Sequence, residues 1–130
     1  MKYVYPAIFV KEPNGAFSVN FPDLPCCYTQ GDNLEDAIVM AEDVLCLTLY
    51  RMEVEKSDIP SPSEIKDIKT DDASVISLVR CDTMEYREYY LGKAIKKTLT
   101  IPSWLNTEAE KAGVNFSQTL QDALKEHLGL

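Results

Sequence analysis

Apolar and polar positions alternate at the front of the chain. Tyr3 to Val10 is rich in β-branched and aromatic side chains, Glu12-Pro13-Asn14-Gly15 interrupts, and Ala16 to Phe21 alternates apolar with small or polar residues. This predicts a β-hairpin, because Asn-Gly accepts the positive φ of a tight turn and the alternation puts Phe17, Val19 and Phe21 on one face. Pro22-Asp23-Leu24-Pro25 cannot continue a central strand, since each proline lacks an amide donor, so the chain turns and Cys26 to Gln30 forms a third strand. The period then lengthens. Leu34, Ala37, Ile38, Ala41, Leu45 and Leu49 recur at helical spacing, predicting a helix from Leu34 to about Glu53 that packs this face on the hairpin sheet. Glu35, Asp36, Glu42 and Asp43 take the watered side. Asp32-Asn33-Leu34-Glu35 reads as a capping box, with Asp32 accepting from the first-turn amides. Ile59-Pro60-Ser61-Pro62-Ser63 blocks regular structure, Glu64 to Asp72 is a polar connection, and Ser74 to Val79 is a fourth strand. The first domain is expected as β-β-β-α-β within an α+β chain, followed by Glu85 to Tyr90 as a short helix or a tether with partly buried tyrosines.

The end of the chain follows a different plan. Lys96-Lys97-Thr98-Leu99-Thr100-Ile101 reads as a strand stopped by Pro102, Ser103 as the cap of a helix to Ala112, Gly113 as its stop, and Asn115-Phe116-Ser117-Gln118 as a second capping box. The first helix offers Leu105, Ala109 and Ala112, and the second offers Phe116, Leu120, Ala123, Leu124 and Leu128. That core is too small for a lone fragment of under about 40 residues, which predicts a dimer. Strand parity turns Leu99 and Ile101 toward the helices and leaves Lys96, Thr98 and Thr100 on the opposite, polar face. Two such strands paired antiparallel would make a ribbon that fits the major groove of DNA. The segment resembles the ribbon-helix-helix DNA-binding family over its whole β-α-α length, including the proline after the strand and the glycine between the helices. By that resemblance Lys96, Thr98 and Thr100 read bases, and the start of the second helix around Asn115 and Ser117 anchors phosphate, as its free amides and dipole also favour. Lys97 has inward parity, but its long stem at the start of the strand reaches toward a phosphate.

Charge sharpens the division. The chain has 130 residues and a net charge of −8. Eight basic residues stand against seventeen acidic ones from Met1 to Gly92, and five against four beyond, where Lys93, Lys96 and Lys97 open the segment. Domains are therefore expected at 1–92 and 93–130. No apolar run approaches the roughly 18 residues of a membrane span, and Met1-Lys2-Tyr3 leads into the first strand without a signal-type block, so a cytoplasmic protein with no membrane partner is expected. Cys26, Cys27, Cys46 and Cys81 form no Cys-x-x-Cys pair and are read as reduced, mostly buried thiols. His127 is the only histidine and has no nucleophile or second histidine to work with. No catalytic residue, metal site or cofactor is expected. The rival reading is a nuclease holding Mg²⁺ on Asp23, Asp32, Glu35 or Asp36. Capping, the solvated helix face and the Pro-flanked turn account for all four.

With the Phe21-Pro22-Asp23-Leu24-Pro25 turn, the Gln30 to Ala37 lead into the helix, and the C-terminal strand-helix-helix, the chain resembles the HicB antitoxin family over essentially its full length. Members typically carry Gly-Cys after the second proline, where this chain has Cys26-Cys27. The resemblance implies an N-terminal domain similar to a truncated ribonuclease-H-like fold. It also implies a partner, the HicA toxin, a small basic messenger-RNA-cleaving ribonuclease, and repression of the chain's own operon through operator DNA. A −9 domain suits a cationic RNA-binding surface. No toxin-contacting residue is assigned, and a homodimer, with room for higher homo-oligomers, is expected. A stand-alone transcription regulator is the third reading.

Overall fold

The computed structural model describes residues 1–130, which divide into two compact units, Met1–Gly92 and Lys93–Leu130. In the first, strand β1 (Lys2–Lys11) turns through Glu12–Gly15 into β2 (Phe17–Asn20). Gly15 takes a φ of 89°, its amide donates to the Glu12 carbonyl at 3.0 Å, and the Asn14 side chain accepts from the Ala16 amide. β3 (Tyr28–Gly31), helix α1 (Leu34–Val54) and β4 (Ser74–Asp82) follow, giving an antiparallel sheet of order β3-β2-β1-β4. The β-β-β-α-β order agrees with the expectation, although β3 starts after both cysteines and β4 continues past Val79.

One sheet face packs on α1. Tyr5, Ala7 and Phe9 of β1, Val19 and Val79 meet Ala37, Ala41, Leu45 and Leu49, all buried in one core. Two residues expected on that helix face are not enclosed: Leu34 is 46% and Ile38 49% exposed, because they border an open apolar groove with Phe9, Phe17 and Val75. The helix cap also differs by one residue. Asn33, not Asp32, accepts from the Asp36 amide at 2.8 Å, while the Asp36 carboxylate, not that of Glu35, reaches back to the Asp32 amide at 2.9 Å. Asn33 and Asp36 thus form a variant of the capping box, in which the carboxylate reaches the amide one residue before the cap.

The proline-flanked turn seals the core with Phe21, Leu24 and Cys27, all buried. The Cys27 amide donates to the Leu24 carbonyl at 3.3 Å, with Pro25 second and Cys26 third in the turn. Cys26 has a φ of 60°. Proline followed by a positive φ is the pattern of a type II turn, whose third position favours glycine because a Cβ there is crowded. Cys26 is exposed, so its side chain gives little packing in return. Cys26→Gly is therefore expected to stabilise the protein by about 0.5–1 kcal/mol, the left-handed strain relieved exceeding the extra entropy of the unfolded glycine. A urea titration showing an unchanged or lower midpoint would contradict this.

Two ties hold the long connection after α1. The Tyr5 hydroxyl donates to the Pro60 carbonyl, and the Ser63 amide donates to the Asp23 carboxylate at 2.9 Å. A short 3-10 turn (Ile65–Asp67) lies within the polar connection. The Glu85 to Tyr90 stretch belongs to helix α2 (Thr83–Leu91), capped by Asp82, which accepts from the Met84 amide at 2.9 Å. Buried Thr83 donates to Glu53 of α1, and Arg87 lies 3.8 Å from the same carboxylate and 5.2 Å from the Tyr50 ring centre. No helix is long and apolar enough to cross a membrane.

The second unit holds α3 (Ser103–Lys111) and α4 (Phe116–Leu128). Pro102, not Ser103, precedes the first helical residue, and no side chain caps α3, because Ser103 is already inside the helix, where its carbonyl accepts from Thr107. Gly113, at a φ of 69°, ends α3 with the expected reversal, its amide donating to Glu110 and that of Val114 to Ala109. Asn115 caps α4 by accepting from the Gln118 amide at 3.0 Å, but the Gln118 side chain turns to Asp122, leaving the expected capping box half made. Residues 92–102 form no helix or strand, where a strand over Lys96–Ile101 was expected. A ladder needs a second strand, and one copy of this unit contains none.

Candidate nucleic-acid interface and acidic partner surface

In the C-terminal unit no residue is buried. Lys97, Leu99 and Ile101 border a groove of about 680 Å³ together with Phe116, Ser117 and Leu120. Lys96, Thr98 and Thr100 do not line it and stand exposed. The segment thus separates an apolar edge turned to α4 from a Lys-Thr-Thr edge turned away, although no ladder sets its pleat. Leu99 is 56%, Ile101 43% and Phe116 44% exposed, so this apolar surface is unsatisfied in one chain. Asn115 is occupied as the α4 cap, and Ser117 stands exposed in the first turn. That turn carries no acidic side chain, leaving the positive end of the helix dipole uncompensated beside both residues. The sequence reading passed over Trp104, 68% exposed in the first turn of α3. The available signal was the chain's single tryptophan placed at a helix start.

In the N-terminal unit, charge is segregated between the faces. The register places Val4, Ile8, Val10, Ile76 and Leu78 on the outer sheet face with Ser18, Asn20, Tyr28 and Gln30, and Lys2 and Arg80 are the basic side chains among them. The carboxylates concentrate on the helical side. Glu42 and Asp43 of α1 face Asp82 and Glu85 across a groove of about 350 Å³ that Tyr86, Tyr89 and Tyr90 also line. The rings of Tyr86 and Tyr90 are 4.7 Å apart, and the Tyr90 hydroxyl donates to Asp43 at 3.2 Å. The Asp43 carboxylate raises the Tyr90 phenol above its ordinary range, and Tyr86 is raised chiefly by burial and then by Asp43. The expected partial burial holds for Tyr86, whereas Tyr89 and Tyr90 are exposed. Their clustering was hidden from the sequence because it depends on α2 folding back along α1.

The four carboxylates of the nuclease reading do not assemble. Asp23 is held by Ser63, Asp36 by the Asp32 amide, and no three metal-ligating side chains converge anywhere in the chain.

A family model described as the HicB-like antitoxin of bacterial toxin–antitoxin systems matches residues 5–124. Antitoxin HicB 1 of Photorhabdus laumondii is 38% identical over 60 residues, which is 45% of this chain and 39% of that protein, so the chain spans about two fifths of this relative's length. Among solved structures, a toxin–antitoxin complex from Streptococcus pneumoniae aligns with a TM-score of 0.62 at 32% identity, covering 98% of this chain and 99% of the other. A HicA3 and HicB3 toxin–antitoxin complex aligns at 0.51 and 23% identity over 62% of this chain and 99% of its counterpart, a likeness of fold. With a family match that spans nearly the whole chain and a 32% identical structure aligned end to end, the chain belongs to the HicB-like antitoxin family of bacterial toxin–antitoxin systems.

Proposed function

We propose that this chain neutralises a small basic ribonuclease toxin of the HicA kind with its acidic N-terminal unit, and represses its own operon as a ribbon-helix-helix dimer on operator DNA. The observation that carries the reading is an asymmetry: residues 1–92 have a complete core and a net charge of −9, whereas residues 93–130 have no buried residue. The first unit can meet a cationic partner as a single chain; the second needs a copy of itself. Toxin–antitoxin complexes among the structural relatives support the partner. The N-terminal unit serves as a truncated ribonuclease-H-like scaffold without catalytic carboxylates, and its helical side, where Glu42, Asp43 and Glu85 gather, covers the surface on which the toxin would bind RNA phosphates. In the dimer, residues Lys96 to Ile101 of two chains pair as the ribbon. Lys96, Thr98 and Thr100 face the major groove, while Lys97, Asn115, Ser117 and the α4 amides approach phosphates. The site of action is the cytoplasm.

Two measurements test the halves separately. A triple alanine variant at Lys96, Thr98 and Thr100 should lose operator preference while keeping the wild-type circular dichroism spectrum; undiminished operator binding refutes the base-reading assignment. The fragment Met1–Gly92 should rescue cells from the toxin and bind it with an affinity that falls as salt is raised, since screened charge steers the encounter. A folded fragment that fails to rescue would place essential toxin contacts in residues 93–130. A salt-independent affinity would rule out electrostatic occlusion.

A further inference from the structure

Beneath the acidic groove lies a pair of thiols that the antitoxin role does not use. Cys46 of α1 and Cys81 of β4 belong to the same buried core, and their side chains interact directly. They differ in access. Cys46 lines the groove between α1 and α2, alongside Asp82, the immediate neighbour of Cys81, whereas Cys81 lies behind it. Cys27 is enclosed elsewhere, against the Val44 carbonyl, and Cys26 is exposed.

We propose that Cys46 and Cys81 are a modification site for small uncharged peroxides, closing into an intrachain disulfide that ties α1 to β4. In the first step the Cys46 sulfur attacks one oxygen of hydrogen peroxide; the O–O bond breaks, the departing hydroxide takes up the thiol proton as water, and Cys46 becomes a sulfenic acid. In the second, the Cys81 sulfur attacks the Cys46 sulfur, the S–O bond breaks, and the hydroxyl leaves with the Cys81 proton as a second water. Two thiols are oxidised and one peroxide is reduced to two waters. Access fixes the order, because the groove exposes Cys46 first. Protonation agrees with it: the bond from the Cys81 thiol lowers Cys46, against burial and the nearby Glu42 and Asp43, while the same bond and burial raise Cys81. The four groove carboxylates select the oxidant, since they repel anionic disulfides such as oxidised glutathione but not neutral peroxide.

The test exposes the full chain to hydrogen peroxide, alkylates the remaining thiols after denaturation, and maps them by mass spectrometry. In a Cys26→Gly background, which removes the exposed thiol, two of three thiols should disappear, leaving a monomer about 2 Da lighter with the peptides of Cys46 and Cys81 joined. Cys81→Ala should stop the sequence at the first step, so that dimedone labels Cys46. Oxidised glutathione at the same concentration should leave both thiols free. The proposal is overturned if both remain alkylatable after peroxide treatment, if Cys46 advances to sulfinic acid while Cys81 stays reduced, or if oxidised glutathione reacts as readily as peroxide. The mapping of the Cys26→Gly protein decides the matter even where Cys81→Ala fails to fold.

Discussion

Replacing Leu99 and Ile101 together by aspartate should convert the dimer into monomers and abolish operator binding, while the N-terminal unit remains folded. Both residues line the groove against Phe116 and Leu120, and both are largely exposed in one chain, so a paired ribbon is where they would be covered. Burying a leucine or isoleucine side chain contributes roughly 1.5–3 kcal/mol, and two chains contribute four such groups, giving roughly 6–12 kcal/mol. A nanomolar dimer rests on about 12 kcal/mol, so losing even the lower figure moves dissociation well beyond micromolar concentrations. The aspartates add the cost of placing charge against apolar neighbours. Sedimentation equilibrium should report the monomer mass, and a thermal scan should keep the transition of the N-terminal core. A variant that stays dimeric would place the interface elsewhere.

Gly31→Ala should be among the most damaging single substitutions in the N-terminal unit. Gly31 is buried at the end of β3, directly beneath the first turn of α1. A Cβ added there would lie 2.3 Å from the Ala37 amide nitrogen and 2.6 Å from its Cα. These are backbone atoms, and that turn is fixed by the Asn33 cap and the Asp36 bond to Asp32, so no side chain can rotate away. The helix must lift where Ala37 and Ala41 seal the core. Overpacking generally costs about 1–3 kcal/mol, and backbone against backbone puts this site at or above the upper end. That is a large share of the roughly 5–15 kcal/mol by which a domain is stable. Urea unfolding should show a midpoint loss of matching size; a loss below about 1 kcal/mol would mean that α1 yields more easily than its caps imply.

Much of this fold is written in local patterns. Asn14-Gly15 marked the hairpin, and the helical spacing of Ala37, Ala41, Leu45 and Leu49 marked the buried side of α1. The misses lie where residue type and spacing leave a choice that another group settles. Asp32 and Asn33 are equally good caps by type, and the Asp36 carboxylate decides between them by binding the Asp32 amide. Leu34 and Ile38 have the right spacing for the core but sit where the sheet leaves them an open groove. At the candidate site, the alternation over Lys96 to Ile101 was readable, whereas its missing ladder was not, because a period of two looks the same in a paired and an unpaired chain. The Cys46–Cys81 pair left no sequence trace at all, since its members come from a helix and a strand with the whole Pro-rich connection between them.

The absence of an interior in residues 93–130 has a consequence for gene dosage. If the chain acts as proposed, occluding the toxin would be first order in antitoxin, since one chain carries a finished N-terminal unit. The proposed repression through a paired ribbon would be second order, since two chains would have to meet before either could read DNA. As antitoxin is degraded or diluted by growth, the operator would then be vacated while the surviving chains still hold toxin. Fresh synthesis would begin before protection runs out, with the margin between the two events set by how weakly Leu99 and Ile101 hold the proposed dimer together. An incomplete fold of this kind would let the molecule count its own copies.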